Sequence, residues 1–256
     1  MGETMKHYMN LFGEPFKMIR SGKKTIELRL NDEKRKVISI GDTIVFTNTE
    51  DKGRKIFSTV TALHKFKNFS ELYNNLPLLK CGYTKEDIDN AKPDDMYVYY
   101  SKEHEEKYGA LGIELSVDFT VDNCKKKDED YICNKLVEYN LSKVPATQQI
   151  YFENINKKIL NTNGDIISGC AARMYCWNVL YIDTLWVDEN YRHKGFGSKM
   201  LEYVENTAKE KGCCLIHLDT FDFQAKDFYL KHGYEIFGTL KDCPKGHCRY
   251  YLQKRI

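Results

Sequence analysis

From Leu185 to Ser198 the chain reads Leu-Trp-Val-Asp-Glu-Asn-Tyr-Arg-His-Lys-Gly-Phe-Gly-Ser, an apolar stretch running into a basic turn punctuated by glycines. Arg192, His193 and Lys194 bring positive charge to the turn, and Gly195 and Gly197 let the backbone come close to a ligand. If a helix follows, its first amides lack intrahelical partners and its dipole adds positive potential. This chemistry suits an anion, and a diphosphate above all. An ordinary strand–helix connection reads the same way, so two glycines do not decide between them. A dinucleotide fingerprint requires a third glycine where Met200 stands, and the Gly-Lys-Ser/Thr ending of a phosphate loop is absent.

A second polar cluster lies near the other end, in Gly22-Lys23-Lys24-Thr25-Ile26-Glu27-Leu28-Arg29. Strict alternation over Thr25–Leu30 predicts a half-buried strand, with Ile26, Leu28 and Leu30 inward and Thr25, Glu27 and Arg29 on the other face. Lys24, Glu27 and Arg29 together can read a base edge or hold a polar ligand in a cleft. The alternative is an intradomain Glu–Arg pair, common and weak at two positions apart on one strand face.

The nine cysteines form no Cys-x-x-Cys pair, which argues for reduced, structural thiols and against a zinc ribbon or a thioredoxin-type site. Cys243, His247 and Cys248 offer three metal ligands, but a short turn through Pro244 and Gly246 explains their spacing equally well; no metal is expected. His217, in an apolar stretch, reads as a core histidine.

Several elements must position these groups. Gly41-Asp42 marks a turn before an apolar strand at Thr43–Phe46, and Lys55–Leu63 reads as another strand. Helices are expected at Phe69–Leu76 and at Thr84–Ala91, the latter opened by Thr84 with Asp87 three residues on. Ala110–Leu115 is strand-like, and a new strand pattern begins at Asp118–Cys124. Tyr131–Tyr139 reads as an amphipathic helix. Asn163-Gly164 predicts a tight hairpin between Ile155–Leu160 and Asp165–Met174. Leu180–Val187 and Cys213–Leu218 read as strands and Gly195–Lys211 and Gln224–His232 as helices stopped by Gly212 and Gly233; Tyr234–Phe237 and Arg249–Leu252 close the pattern as strands.

At 256 residues, two domains are favoured over one, and the boundary is expected near Val117. The net charge of +2 and the 42% hydrophobic content exclude a wholly basic nucleic-acid coat and wholesale disorder. Charge is unevenly spread: Phe16–Lys67 holds 13 basic against 6 acidic residues, and Asn68–Val117 holds 5 against 10. Either this presents a positive surface or the two segments simply offset each other. No apolar run is long enough for a membrane helix, and the charged amino terminus predicts a cytoplasmic protein with no membrane partner.

Arg192, Gly195 and Gly197 complete the Arg/Gln-x-x-Gly-x-Gly/Ala motif of the GNAT acyl-CoA-dependent N-acyltransferases. Ala225-Lys226-Asp227-Phe228-Tyr229-Leu230-Lys231-His232-Gly233-Tyr234 is similar to that family's Ala-x-x-Phe-Tyr-x-x-x-Gly-Phe/Tyr segment. This resemblance covers residues 117–256. The Gly-x-Lys-x-x-Glu-x-Arg run at Gly22–Arg29 resembles the signature of ASCH domains, small PUA-like β-barrels, over residues 5–116. The implied architecture is therefore α/β (α+β): an ASCH barrel in residues 1–116, then a GNAT mixed sheet flanked by helices in residues 117–256.

The resemblance implies a mechanism. The pyrophosphate of acetyl-CoA sits on the amides of residues 193–198, from His193 and Lys194 through Gly195, Phe196 and Gly197 to Ser198. The pantetheine arm pairs with the strand edge at Leu185, Trp186 and Val187. A primary amine attacks the thioester directly, Tyr229 protonates the leaving sulfur, and Asp183 serves as base or water holder with Tyr181 on the same face. Core packing of Tyr229 and a structural role for Asp183 are the alternatives. Asp222 stands where many members carry Asn, which leaves one pantetheine bond without its donor. The acceptor amine is left open among small molecules, proteins and tRNA-linked groups. The ASCH resemblance implies RNA as partner, or a site that positions the acceptor. Some ASCH proteins hydrolyse N4-acetylcytidine with a Lys, a Thr and a Glu; Lys24 matches that lysine, but Glu27 stands at the threonine position. A regulator that senses acetyl-CoA without turnover is the rival reading.

Overall fold

The computed structural model describes residues 4–256. The chain divides into two compact units between Asp130 and Tyr131.

The first unit contains β1 (Lys6–Leu11), α1 (Gly13–Arg20), β2 (Ile26–Leu30), β3 (Thr43–Asn48), β4 (Lys55–Phe66), α2 (Phe69–Asn75), α3 (Lys102–Tyr108) and β5 (Ala110–Val121). The strands form one sheet in the order β1-β3-β4-β5-β2. β1 runs parallel to β3 and every other pair is antiparallel. One apolar cluster joins Phe16 and Ile19 of α1 to Ile44, Phe46 and Ile56, and a second joins Ile26 and Leu28 to Phe69 and Leu72 of α2. Asp42, at the turn before β3, is buried and accepts from the amides of Met5 and Ser39 and from His7 Nε2 at 2.8 Å. The burial that would favour its neutral form is outweighed by the His7 bond and these amides, so its carboxyl lies below the ordinary range.

Three local expectations change. The strand expected to be half-buried is covered on both sides in β2, where Glu27 is 1% exposed. The helix expected at Thr84–Ala91 is only a turn with a 3₁₀ segment at Ile88–Asn90. The Asp87 side chain bonds the Thr84 amide, and Tyr83 is drawn to Tyr73 and Asp95. The two strand patterns on either side of Val117 are one strand, β5, with two irregularities in its pairing to β4.

The second unit takes most of α4 (Lys126–Lys143), then β6 (Phe152–Asn154), β7 (Lys157–Leu160), β8 (Ile166–Tyr175), β9 (Val179–Val187), α5 (Phe196–Glu210), β10 (Leu215–Phe221), α6 (Lys226–Lys231), β11 (Glu235–Lys241) and β12 (Cys248–Arg255). Its sheet runs β11-β12-β10-β9-β8-β6, with β7 also paired to β8. Met200, Leu201, Val204 and Ala208 of α5 recur at helical spacing and pack on Leu180, Ile182, Ile216 and Leu218, forming the core. The β7–β8 hairpin is present, but its loop is longer than a two-residue turn. The Gly164 amide bonds the Asn161 carbonyl, and only Gly164 takes a positive φ. The apolar residues expected on an inward face of α4 are exposed instead.

Candidate active site

β9 and β10 are parallel neighbours only from Val179 opposite Leu215 to Ile182 opposite Leu218. Beyond that pair both strands continue and diverge, opening a cleft of about 1010 Å³. β8 still pairs with β9 as far as Val187, so one edge of β9 is open along the cleft. The Trp186 carbonyl is turned toward β8, where Ser168 Oγ donates to it at 3.0 Å. Alternation along a strand therefore points the backbone groups of Leu185 and Val187 into the cleft.

The strand edge leads to the glycine turn. Gly195 is the N-cap of α5 with φ +84°, and His193 also takes a positive φ. No atom comes within 4 Å of a Cβ built on Gly195, whereas one on Gly197 meets the Phe228 ring at 3.4 Å. Glycine is needed at the first position for its backbone conformation, whereas a Cβ at the second makes only an ordinary van der Waals contact. None of the amides of residues 193–198 donates to a protein acceptor among the described residues. Six consecutive free amides at the start of a 15-residue helix are the kind of donors that an anion site requires.

Arg192, His193, Gly195, Gly197 and Ser198 line the cleft. Lys194 and Phe196 instead turn their side chains to the Tyr191 ring, so their share in anion binding is confined to the backbone. Arg192 Nε donates to the Val187 carbonyl at 3.2 Å, tying the glycine turn to the strand edge. Ser198 is held from behind: His232 Nδ1 donates to the Phe228 carbonyl at 2.7 Å, and its Nε2 meets Ser198 Oγ at 3.0 Å.

Asp183 is the extra residue of a bulge, because Ile182 and Thr184 pair with adjacent residues Ala172 and Ala171. It is exposed at the mouth of the cleft, where Thr184 Oγ1 donates to it at 3.3 Å. Tyr181 points to Asp219, donating to Oδ1 at 3.0 Å, while Arg249 Nε donates to Oδ2 at 2.6 Å. Sequence reasoning missed this Tyr181–Asp219–Arg249 group, and likewise His232. Burial and then Asp219 raise the Tyr181 hydroxyl above its ordinary value.

Tyr229 comes off α6 into the same cleft, only 6% exposed. Its hydroxyl has no hydrogen-bond partner among the described residues. Burial, with the nearby Cys170 and Asp219, pushes it up to about 12. Tyr229 is thus part of the core cluster and also lines the cleft. Asp222 is engaged elsewhere, accepting from the Cys248 amide at 3.1 Å and pairing with His247 Nδ1 at 3.0 Å. His217 is half-buried against Tyr175 Oη at 2.9 Å, and burial lowers its pKa.

A second cleft, of about 970 Å³, lies in the first unit. Glu27 forms part of its floor: Oε1 pairs with Arg29, and Lys24 Nζ stands 3.1 Å from Oε2. The three residues singled out in the sequence are thus brought together and desolvated. Despite its burial, Glu27 and Tyr100 hold the Arg29 guanidinium above its ordinary value.

The model of the Acetyltransferase (GNAT) domain matches residues 151–236, and that of the ASCH domain matches residues 9–119. A blasticidin-S acetyltransferase from Streptomyces morookaense is 34% identical over 94 residues, 36% of this chain and 68% of that one. An acetyltransferase from Agrobacterium fabrum is 28% identical over 128 residues, 50% of this chain and 90% of that one. Among solved structures, an acetyltransferase from Bacillus cereus is 43% identical with a TM-score of 0.50, covering 53% of this chain and 96% of that one.

Proposed function

Starting from a chain that belongs to the GNAT N-acetyltransferases and carries an ASCH domain on its N-terminal side, we propose that it moves an acetyl group from acetyl-CoA to a primary amine by direct attack. One observation carries this reading: the edge of β9 left open beyond Ile182 leads into the six free amides of residues 193–198. A pantetheine arm adds to the edge at Leu185 and Val187 as an extra strand, and the diphosphate rests on the amides. Trp186 flanks that edge, Arg192 adds positive charge, and His193, Lys194, Gly195, Phe196, Gly197 and Ser198 offer their amides at the positive end of the α5 dipole. The thioester then lies near the point where the strands part.

Asp183, exposed there and without an ion-pair partner among the described residues, accepts the amine proton directly or through a water. The neutral amine attacks the thioester carbonyl; the tetrahedral intermediate loses its remaining ammonium proton to solvent, the carbonyl re-forms and the C–S bond breaks, expelling the thiolate of coenzyme A. Tyr229, protonated at any physiological pH, gives its proton to that sulfur. No cysteine lines the cleft among the described residues, which favours direct attack over an acyl-enzyme. The N-terminal domain acts as a recognition module, its Lys24–Glu27–Arg29 cleft holding the acceptor or an RNA. The amine itself belongs to the class of small-molecule, protein or tRNA-linked amines; blasticidin S is a natural first acceptor to try, given the relative named above. The test is calorimetric titration with acetyl-CoA followed by thiol release across an amine panel. Binding with amine-dependent thiol release is expected, and binding without release for any amine would favour a sensor.

A further inference from the structure

We infer that His232 is a positioning residue for the cofactor: when a diphosphate settles on the amides of residues 193–198, the His232 imidazole takes up a proton from solvent and releases the Ser198 hydroxyl to the anion. This rests on reading those amides as the diphosphate site and adds the residue that stands behind them. The geometry fixes which atoms carry hydrogens. His232 Nδ1 lies 2.7 Å from the Phe228 carbonyl, which can only accept, so Nδ1 carries one. In the neutral imidazole Nε2 is then a bare lone pair. It stands 3.0 Å from Ser198 Oγ, so the serine hydroxyl donates to it. A hydroxyl has a single hydrogen. Engaged with His232, it leaves Ser198 turning only lone pairs toward the cleft that it lines.

An oxyanion reverses that preference. Lone pairs on Ser198 repel a phosphate oxygen. Once Nε2 is protonated it donates to Oγ instead, and the hydroxyl hydrogen is free to make a charge-assisted bond to the ligand. The surroundings of the ring supply no competing counter-charge. From α6 it meets the Phe228 carbonyl and the Phe228 ring, whose centroid is 4.3 Å away, and from α5 it meets Ser198. Lys231 adjoins it in the chain and Lys199 adjoins Ser198, both positive. No carboxylate pairs with His232 among the described residues, so the negative charge that balances an imidazolium arrives with the ligand. Proton and diphosphate then strengthen each other's binding by the same factor.

The test is calorimetric titration of the full chain with acetyl-CoA at pH 6, 7 and 8, in buffers of different ionisation enthalpy, which counts the protons taken up. Dephospho-coenzyme A repeats it, because the 3′-phosphate of acetyl-CoA itself titrates at about pH 6. Uptake of about half a proton or more per ligand is expected at pH 7, with affinity about tenfold weaker at pH 8 than at pH 6. His232→Gln and Ser198→Ala should each abolish the uptake and flatten the pH profile, whereas His193→Gln should keep both. A histidine that only braces the fold would lower affinity by one factor at every pH. If His232→Gln does not fold, Ser198→Ala still decides. The inference is overturned if the wild type takes up no proton, if the uptake survives in either variant of the pair, or if His193→Gln abolishes it. In those cases acetyl-CoA still binds and the transferase reading stands; no binding at any pH would overturn the two together.

Discussion

Replacing Tyr229 with Phe tests the proposed chemistry with little structural cost. The ring packs against Phe228 and Tyr234, and Phe preserves those contacts. The hydroxyl has no protein partner among the described residues, so its removal breaks no hydrogen bond. Whatever changes is therefore owed to proton transfer. A positioned general acid contributes about 10²–10⁴-fold, or roughly 3–5 kcal/mol of barrier. Thiol release by Tyr229→Phe should fall by about that factor, while calorimetric affinity for acetyl-CoA stays within about twofold. The pH dependence adds a second check. With the hydroxyl pushed up to about 12 by burial, the acid is still protonated at pH 9 and kcat should show no alkaline loss below that pH. Full activity in the Phe variant, or a kcat that collapses between about pH 7 and 9, would refute Tyr229 as the proton donor.

Gly195→Val should fold but lose acetyl-CoA affinity, because a β-branched residue at φ +84° costs about 1–2 kcal/mol per residue and shifts the amides of residues 193–198; equal affinity by titration would remove these amides from the model of binding. Asp183→Asn should lower kcat by about 10²-fold or more with cofactor affinity unchanged, and a wild-type rate would exclude Asp183 as the proton acceptor. Asp42→Asn should destabilise the N-terminal unit by about 2 kcal/mol in denaturant melts at neutral pH, since it puts an amide among three donors. The Asp42 carboxyl is held below its unfolded value, so its stabilising contribution is complete above about pH 4 and fades as pH falls through the lower folded value. Melting scans on the acid side should show a loss of stability that Asp42→Asn blunts.

What the sequence made legible was local. The glycine turn, the helix after it and the Phe-Tyr segment are each written in a few consecutive residues, and α5 and α6 lie where their periodicity and stops put them. Pairing was less legible. The bulge that exposes Asp183 arises because the register with Ala171 and Ala172 shifts by one, and no property of Asp183 or its neighbours announces that. Asp219 meets Arg249 only because β12 returns beside β10, so the contact spans 30 positions. Alternation correctly put Glu27 and Arg29 on one face of β2, but not under cover. That cover comes from distant residues such as Cys81 and Tyr100, which line the same cleft. The stretch at Thr84 shows the converse: a good local cap signal lost to tertiary contacts made by Tyr83.

The parting of β9 and β10 also separates two aspartates that composition alone would treat as equivalent. Both line the cleft near the proposed reaction centre, and a base must be free to take a proton. Asp219 is not: Tyr181 occupies one oxygen, and Arg249 grips the other through both Nε and Nη2. The same pair raises the Arg249 guanidinium, chiefly through the hydrogen bond it donates to Asp219. Asp183, lifted out of the strand by the bulge, has only Thr184 as a hydrogen-bond partner among the described residues and remains available. Asp219 then acts as a positioning residue, fixing Tyr181 at the edge of the crevice, and its replacement should be felt differently. Asp219→Asn should lower thermal stability and the rate together, whereas Asp183→Asn should lower the rate alone. If the two variants instead lose activity equally with neither losing stability, the division of labour between them is wrong and the proton follows another route.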